Sequence, residues 1–158
     1  MKIKITKGFS LVEVLIVIGI ILIVASITSF SYNRYVNNTN LRNAARQLAS
    51  DISNMKQQAI SKMNSTYAIV FDKSLNNYTM TTDFVTIKSL DSFGSGIKFN
   101  TLPLGGSTYT LTFLARGTLT LSSTSATQDT IIMKNNRGSA ANIVYNTTGK
   151  TYVTFNMQ

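Results

Sequence analysis

Cysteine and histidine are both absent from this chain of 158 residues, and proline occurs once, at Pro103. Without cysteine there is no disulfide framework and no thiolate chemistry. Without histidine, imidazole acid–base catalysis and nearly every zinc or haem site are excluded as well. Acidic charge is scarce: five Asp and the single Glu13 offer few ways to build a catalytic carboxylate pair. Composition therefore argues against an enzyme, and no cofactor or metal is expected. Because no proline precedes Pro103, any bend in an N-terminal helix must arise elsewhere, in the Ser/Thr/Asn-rich stretch 26–40.

What is present is basic and moderately apolar. Fifteen Lys and Arg against six acids give a net charge of +9, and 44% of residues are hydrophobic, enough for one modest core. Lys2, Lys4 and Lys7 crowd the first seven residues, leaving twelve cations against six acids in a moderately basic body. This cationic start runs into Phe9, Ser10, Leu11, Val12 and Glu13, and residues 14–25 then carry no polar side chain. Residues 9–27 approach the roughly 20 that span a bilayer as a helix. The leading cations would hold that end in the cytoplasm and place the bulk of the chain outside. Glu13 is out of place, since an acid at mid-membrane costs about 3 kcal/mol, less near an end. Three readings fit the segment: a secretory signal cut near Ala25-Ser26, a plain anchor, or an anchor whose Glu13 pairs with another molecule.

The string Lys7-Gly8-Phe9-Ser10-Leu11-Val12-Glu13-Val14, followed by an unbroken aliphatic run, resembles the class III leader of type IV pilins and pseudopilins. The resemblance implies cleavage after Gly8 by a prepilin peptidase, N-methylation of Phe9, and Glu13 as the fifth mature residue. It further implies a single-pass inner-membrane precursor, lodged in lipid before assembly. Its partners would be other pilin subunits and an inner-membrane assembly platform. Cutting after Gly8 removes three lysines and creates an α-amine. Such a cation in apolar surroundings needs an anion nearby, and Glu13 of a neighbouring subunit would supply it.

Beyond the anchor, Leu41, Ala45, Leu48, Ile52, Met55, Ala59 and Met63 recur at helical spacing, with Arg42, Arg46, Asp51, Lys56 and Lys62 off the stripe. The spacing predicts an amphipathic helix packed on its own β-domain. One helix over residues 9–64 would be about 84 Å long at 1.5 Å per residue. From Thr66 the period changes to two. Strands are expected at 67–71, 77–82, 84–88, 97–99, 109–114, 118–121, 130–133, 142–145 and 151–155. Hairpin turns are expected at 135–138 and 146–149, and mobile loops at 94–96 and 103–107. The fold class is α+β: a long N-terminal helix, transmembrane half plus amphipathic half, packed on a C-terminal antiparallel β-domain as one or two sheets. The expected divisions are a leader at 1–8, a membrane or filament-core segment at 9–33, an amphipathic helix at 34–64 and a β-rich head at 65–158.

Residues 42–71, RNAARQLASDISNMKQQAISKMNSTYAIVF, resemble the helix–strand junction of GspH/FimT-type minor pilins and pseudopilins, including ComGD-like competence pseudopilins. The hairpin formed by Asn142-Ile143-Val144-Tyr145 and Gly149-Lys150-Thr151-Tyr152-Val153 resembles their last one. The resemblance implies a non-catalytic minor subunit of a type IV pilus, competence pseudopilus or type II secretion pseudopilus. It would assemble through its N-terminal helix, at initiation or the tip; the alternatives are a DNA-capturing minor pilin or the major pilin of the shaft. Lys134, Arg137 and Lys150 lie by the late hairpins near Tyr145 and Tyr152, a composition suited to contacting DNA. The Gly-Arg-x-Arg ending of DNA-binding FimT proteins is absent. Gly149-Lys150-Thr151 is not a phosphate loop, because Val144 stands where the earlier glycine belongs and strands flank it. Asp83 and Asp91 flank a loop and would offer two carboxylates to a calcium ion, but no Asp-x-Asp cluster accompanies them, and solvated loop acids are the commoner outcome.

Overall fold

The computed structural model describes residues 9–63, 66–122 and 127–158, without the side chains of residues 27–31. The chain divides into two units, Met1–Val36 and Asn37–Gln158. A single helix, α1 (Leu11–Ser61), contributes to both. No proline interrupts it, and its later part is rich in Ala, Leu, Gln, Lys and Arg, all strong helix formers. It ends three residues earlier than the sequence pattern suggests. Met63 takes a left-handed φ of 48°, its N–H donating to the Ile60 carbonyl at 3.2 Å, while the Lys62 N–H donates to Gln58 O. A left-handed residue after the last turn stops the helix and satisfies a terminal carbonyl.

In the N-terminal unit, every described side chain of α1 through Ser26 is exposed, apolar residues included. Helical spacing there selects no inward face, because the run is apolar on all sides.

The second unit has its own core. Among the described residues eight strands follow the helix: β1 (Ala68–Asp72), β2 (Asn77–Thr81), β3 (Val85–Ser89), β4 (Lys98–Thr101), β5 (Thr108–Thr112), β6 (Gln128–Lys134), β7 (Ala140–Asn146) and β8 (Thr151–Asn156). They form two four-stranded sheets, in the orders β3-β2-β1-β5 and β4-β6-β7-β8, with every pairing antiparallel. Two sheets rather than one curled sheet is thus the arrangement adopted, and the α+β class is as expected.

Alternation in the strands feeds one core. Ile69 and Phe71 of β1 face inward beside their β5 partners Leu111 and Tyr109, and Ile131 and Met133 of β6 lie opposite Ile143 and Ala141 of β7. Phe71 sits at the centre, stacked on Tyr109 at 6.1 Å and edge-on to Phe99 at 5.9 Å. Such aromatic pairs add about 0.5–1.5 kcal/mol beyond the area they bury. The helical stripe Leu41, Ala45, Leu48, Ile52, Met55 and Ala59 is buried in the same cluster, joined by Ala44. Met63, expected on the stripe, is 85% exposed because the helix has already ended.

One expected strand is missing. Residues 118–121 make only the isolated bridge Phe113↔Leu119. Gly117, at φ 80°, closes a tight turn with its N–H on Leu114 O; Leu114 N–H and Thr120 N–H bond Thr118 O and Thr112 O across that turn, while the Leu119 N–H faces away from β5 and donates to the Thr147 carbonyl. Both expected hairpin turns are present. Gly138 and Gly149 supply the positive φ angles, 87° and 75°, that these turns require. The expected loops at 94–96 and 103–107 hold Gly94, whose N–H donates to Asp91 O, and a short 3-10 turn over Pro103–Gly105.

Candidate assembly site

Phe9 precedes α1 and is 83% exposed, and Glu13 is exposed in its first turn. Gly8, the expected cleavage residue, lies outside the described residues. Helix entry is set by Ser10, whose carbonyl accepts from the Val14 N–H at 3.2 Å. A carboxylate in a first turn meets the positive end of the helix dipole, which stabilises it by about 0.3–1 kcal/mol. No cation among the described residues forms an ion pair with Glu13. Among the described residues no helix is long and apolar enough to cross a membrane.

In the head, the most heavily partnered charge is one that residue type alone assigns to the wet face. Asp51 is buried at 4% exposure. It adjoins Ile52 of the apolar stripe, and the fold supplies what its carboxylate needs. Lys88 Nζ donates to both oxygens at 2.9 and 2.8 Å, the Tyr78 hydroxyl to Oδ2 at 2.6 Å, and Gln47 Nε2 to Oδ1 at 3.0 Å. Tyr78 comes from β2 and Lys88 from β3, so Asp51 ties α1 to the β3-β2-β1-β5 sheet. A second buried acid, Asp129 of β6, accepts from the Ser122 N–H and hydroxyl, each at 2.6 Å, and from the Tyr109 hydroxyl at 3.2 Å. Both acids have architectural partners. Asp83 likewise accepts from the Tyr67 hydroxyl at 2.9 Å and pairs with Lys62 at 3.6 Å, while Asp91 accepts from Asn76 at 3.0 Å. No group of three metal-ligating side chains occurs among the described residues.

Four tyrosines in the head titrate high, with burial the first cause in each. Tyr67 is raised by burial and then by its bond to Asp83, and Tyr78 is pushed well above its ordinary value of 10.0 by burial and then by Asp51. Burial pushes Tyr109 up to about 12, with neighbouring Tyr145 opposing the rise and Asp129 adding to it. Tyr145, the cross-strand partner of Asp129, is raised by burial and then by Tyr109. The neutral phenol is the form the fold holds. The stability tied to it is fully present below the unfolded value near 10 and is lost as pH rises through the folded values, that of Tyr109 being about 12. The head is expected to unfold in alkali across that window, with tyrosinate absorbance from these four groups rising together with loss of circular dichroism. Their ionisation while the dichroism is intact would contradict the assignment.

The three basic residues singled out by sequence do not come together. Lys134 ends β6 and Arg137 stands in the β6–β7 turn, whereas Lys150 lies in the β7–β8 turn at the other end of β7. A seven-residue strand separates the two turns by about 20 Å at 3.4 Å per residue. All three side chains are exposed. Each turn is braced by α1: Asn38 accepts from Asn135 Nδ2 at 3.0 Å, and Lys56 Nζ donates to the Thr148 carbonyl at 2.7 Å.

Residues 3–29 match the family model of the prokaryotic N-terminal methylation motif. No curated protein and no solved structure matches the chain. The matched segment contains Gly8, Phe9 and Glu13 and ends within the apolar helix. The motif belongs to a structural rather than catalytic class of proteins, processed by a prepilin peptidase and assembled with other pilins. Residues 3–29 thus carry the methylation motif found at the N-terminus of type IV pilin-like prepilins, and the likeness extends to that segment.

Proposed function

We propose that this protein is a minor pilin or pseudopilin of the GspH/FimT type that is cut after Gly8, N-methylated at Phe9 and built into a type IV filament through α1. The observation that carries this reading is the pairing of the matched motif with a helix whose described apolar side chains, from Leu11 to Val24, are exposed on every side. Such a surface needs lipid before assembly and neighbouring apolar helices after it. The head contributes a folded body with its own core and no group of metal-ligating side chains among its described residues. Initiation or capping of the filament fits a subunit of this design, whether the filament is a pilus, a competence pseudopilus or a secretion pseudopilus.

Mass and N-terminal residue, measured on protein from native membranes or sheared filaments, test the reading. N-methylated Phe9 is the expected start. Replacing Gly8 with valine is expected to leave the precursor uncut and absent from filaments. A processed product of normal mass from that variant, or a wild-type chain beginning near Ser26, would remove the prepilin assignment.

A further inference from the structure

The first sheet ends in an open edge. β3 is the terminal strand of the order β3-β2-β1-β5, and among the described residues it pairs with β2 alone. The bonds at the two ends of that pairing show which way its backbone groups turn. Leu90 N–H donates to Asn76 O, and Thr82 N–H donates to Phe84 O. Bonded and unbonded pairs alternate along an antiparallel ladder, so the even-numbered residues of β3 turn their backbone to β2. Val85 and Ile87 therefore turn N–H and C=O to the open side. Their side chains are 67% and 65% exposed, Thr86 between them is exposed, and Phe84 before them is exposed too. Native sheet edges are normally guarded by a charge, a proline or a bulge. The β4 edge of the other sheet has such guards, with Lys98 and a register break between Phe99 and Thr101. β3 has none facing out. Its lysine, Lys88, is turned to the buried Asp51 carboxylate at 2.8 Å, and its register on β2 is unbroken from Val85 to Ser89.

We propose that β3 pairs with the β3 of a second copy of this chain, the two strands running antiparallel about a twofold axis at Thr86. The open backbone is self-complementary in that register. With Thr86 opposite Thr86, Val85 of each copy faces Ile87 of the other, and these are the residues whose N–H and C=O are free, so four hydrogen bonds close. The same register sets Val85 against Ile87 twice on the outer face, and β-branched cross-strand pairs favour a sheet. Charge selects it as well. Lys88 falls opposite Phe84 of the second copy and Asp83 opposite Ser89, so no like charges meet. A shift to Ile87 opposite Ile87 sets Asp83 against Asp91, which is repulsive, and the opposite shift to Val85 opposite Val85 sets Ile87 against Asp83. A twofold contact is closed and joins two heads without propagating. It is thus separate from the head-to-tail repetition of a filament built through α1, and the proposal does not rest on that assembly.

The chain has no cysteine, so an introduced one reports its own surroundings. In the proposed register the two Thr86 residues form an unbonded pair with Cα atoms about 4.5 Å apart, within reach of a disulfide. Thr86→Cys in the full-length chain, in neutral detergent under a mild oxidant, is expected to give a disulfide-linked dimer about tenfold faster than Ser74→Cys, an exposed site in the β1–β2 turn. Chains brought together through α1 alone would cross-link at both positions alike. Adding Val85→Lys and Ile87→Lys to the Thr86→Cys chain sets lysine against lysine across the pair and is expected to slow dimer formation about tenfold. Both replaced side chains stand mostly in solvent, so the melting temperature is expected to stay within about 3 °C of wild type, which separates lost pairing from lost fold. Equal cross-linking at residues 74 and 86, no dimer from Thr86→Cys, or undiminished dimer with the lysines present would overturn the proposal.

Discussion

Replacing Asp51 with alanine is expected to destabilise the head by about 3 kcal/mol, lowering its melting temperature by roughly 10 °C. Two losses combine in that figure. The Tyr78 hydroxyl, 2.6 Å from Asp51 Oδ2, remains buried without its acceptor, which costs about 1–3 kcal/mol. Lys88 is deprived of its counter-ion, but its side chain is 30% exposed and can swing its ammonium to water, so the full penalty of a stranded buried charge does not apply. Asp51→Asn keeps an acceptor for Tyr78 and is expected to cost less than the alanine change. The informative comparison is the triple variant Asp51→Leu/Tyr78→Phe/Lys88→Met. If the cost of Asp51→Ala comes from groups left without partners, removing all of them together should be milder than removing the aspartate alone. Urea unfolding of the four proteins decides this, and a triple variant less stable than Asp51→Ala would contradict it. The effect bears on function because Asp51 is the charged link between α1 and the β3-β2-β1-β5 sheet. A head that melts near growth temperature cannot survive to be assembled.

Asp51 also marks the limit of what sequence pattern can convey. The apolar stripe from Leu41 to Ala59 is legible because helical spacing is local, and the strands on either side of the two late hairpins are legible because alternation and turn glycines are local too. A charge beside the stripe reads as a solvated residue. Its burial depends on Tyr78 and Lys88, which lie 27 and 37 residues further along the chain. The only local sign is that Asp51 directly precedes Ile52, at the border of the apolar face. Residues 118–121 show the opposite error. Their composition suits a strand, but the pairing that follows the turn at Gly117 stops at the single bridge Phe113↔Leu119. The placing of the cations beside β4 and β6 is non-local in the same sense. Lys134 and Arg137 are visible in the sequence as turn-side cations, whereas Lys98 joins them only through the β4–β6 register and Lys73 only through its bond to Asn100. Lys150 looks like their neighbour in the sequence, yet the length of β7 puts it at the opposite end of the hairpin.

Replacing Glu13 with alanine is expected to leave cleavage and membrane insertion intact while reducing incorporation into filaments at least tenfold. The change itself makes the segment more apolar, removing an acid that costs about 3 kcal/mol deep in a membrane, so insertion should not suffer. What disappears is an anion in the first turn of α1, where no described residue neutralises it. In the proposed mature subunit the Phe9 amine is a cation entering the same apolar layer. Pairing it with Glu13 of a neighbour removes two unfavourable charges at once and fixes axial register. A variant subunit would bring its own amine without offering the anion in return. Glu13→Gln separates charge from shape: it keeps the size and hydrogen-bonding capacity of the side chain and is expected to fail nearly as badly as alanine. Immunoblots of sheared filaments against the membrane fraction, with the mass of the membrane form showing N-methylated Phe9, distinguish failed assembly from failed processing. Wild-type incorporation of either variant would eliminate the charge pair, and packing of the exposed apolar residues around α1 would then be the whole of the assembly energy.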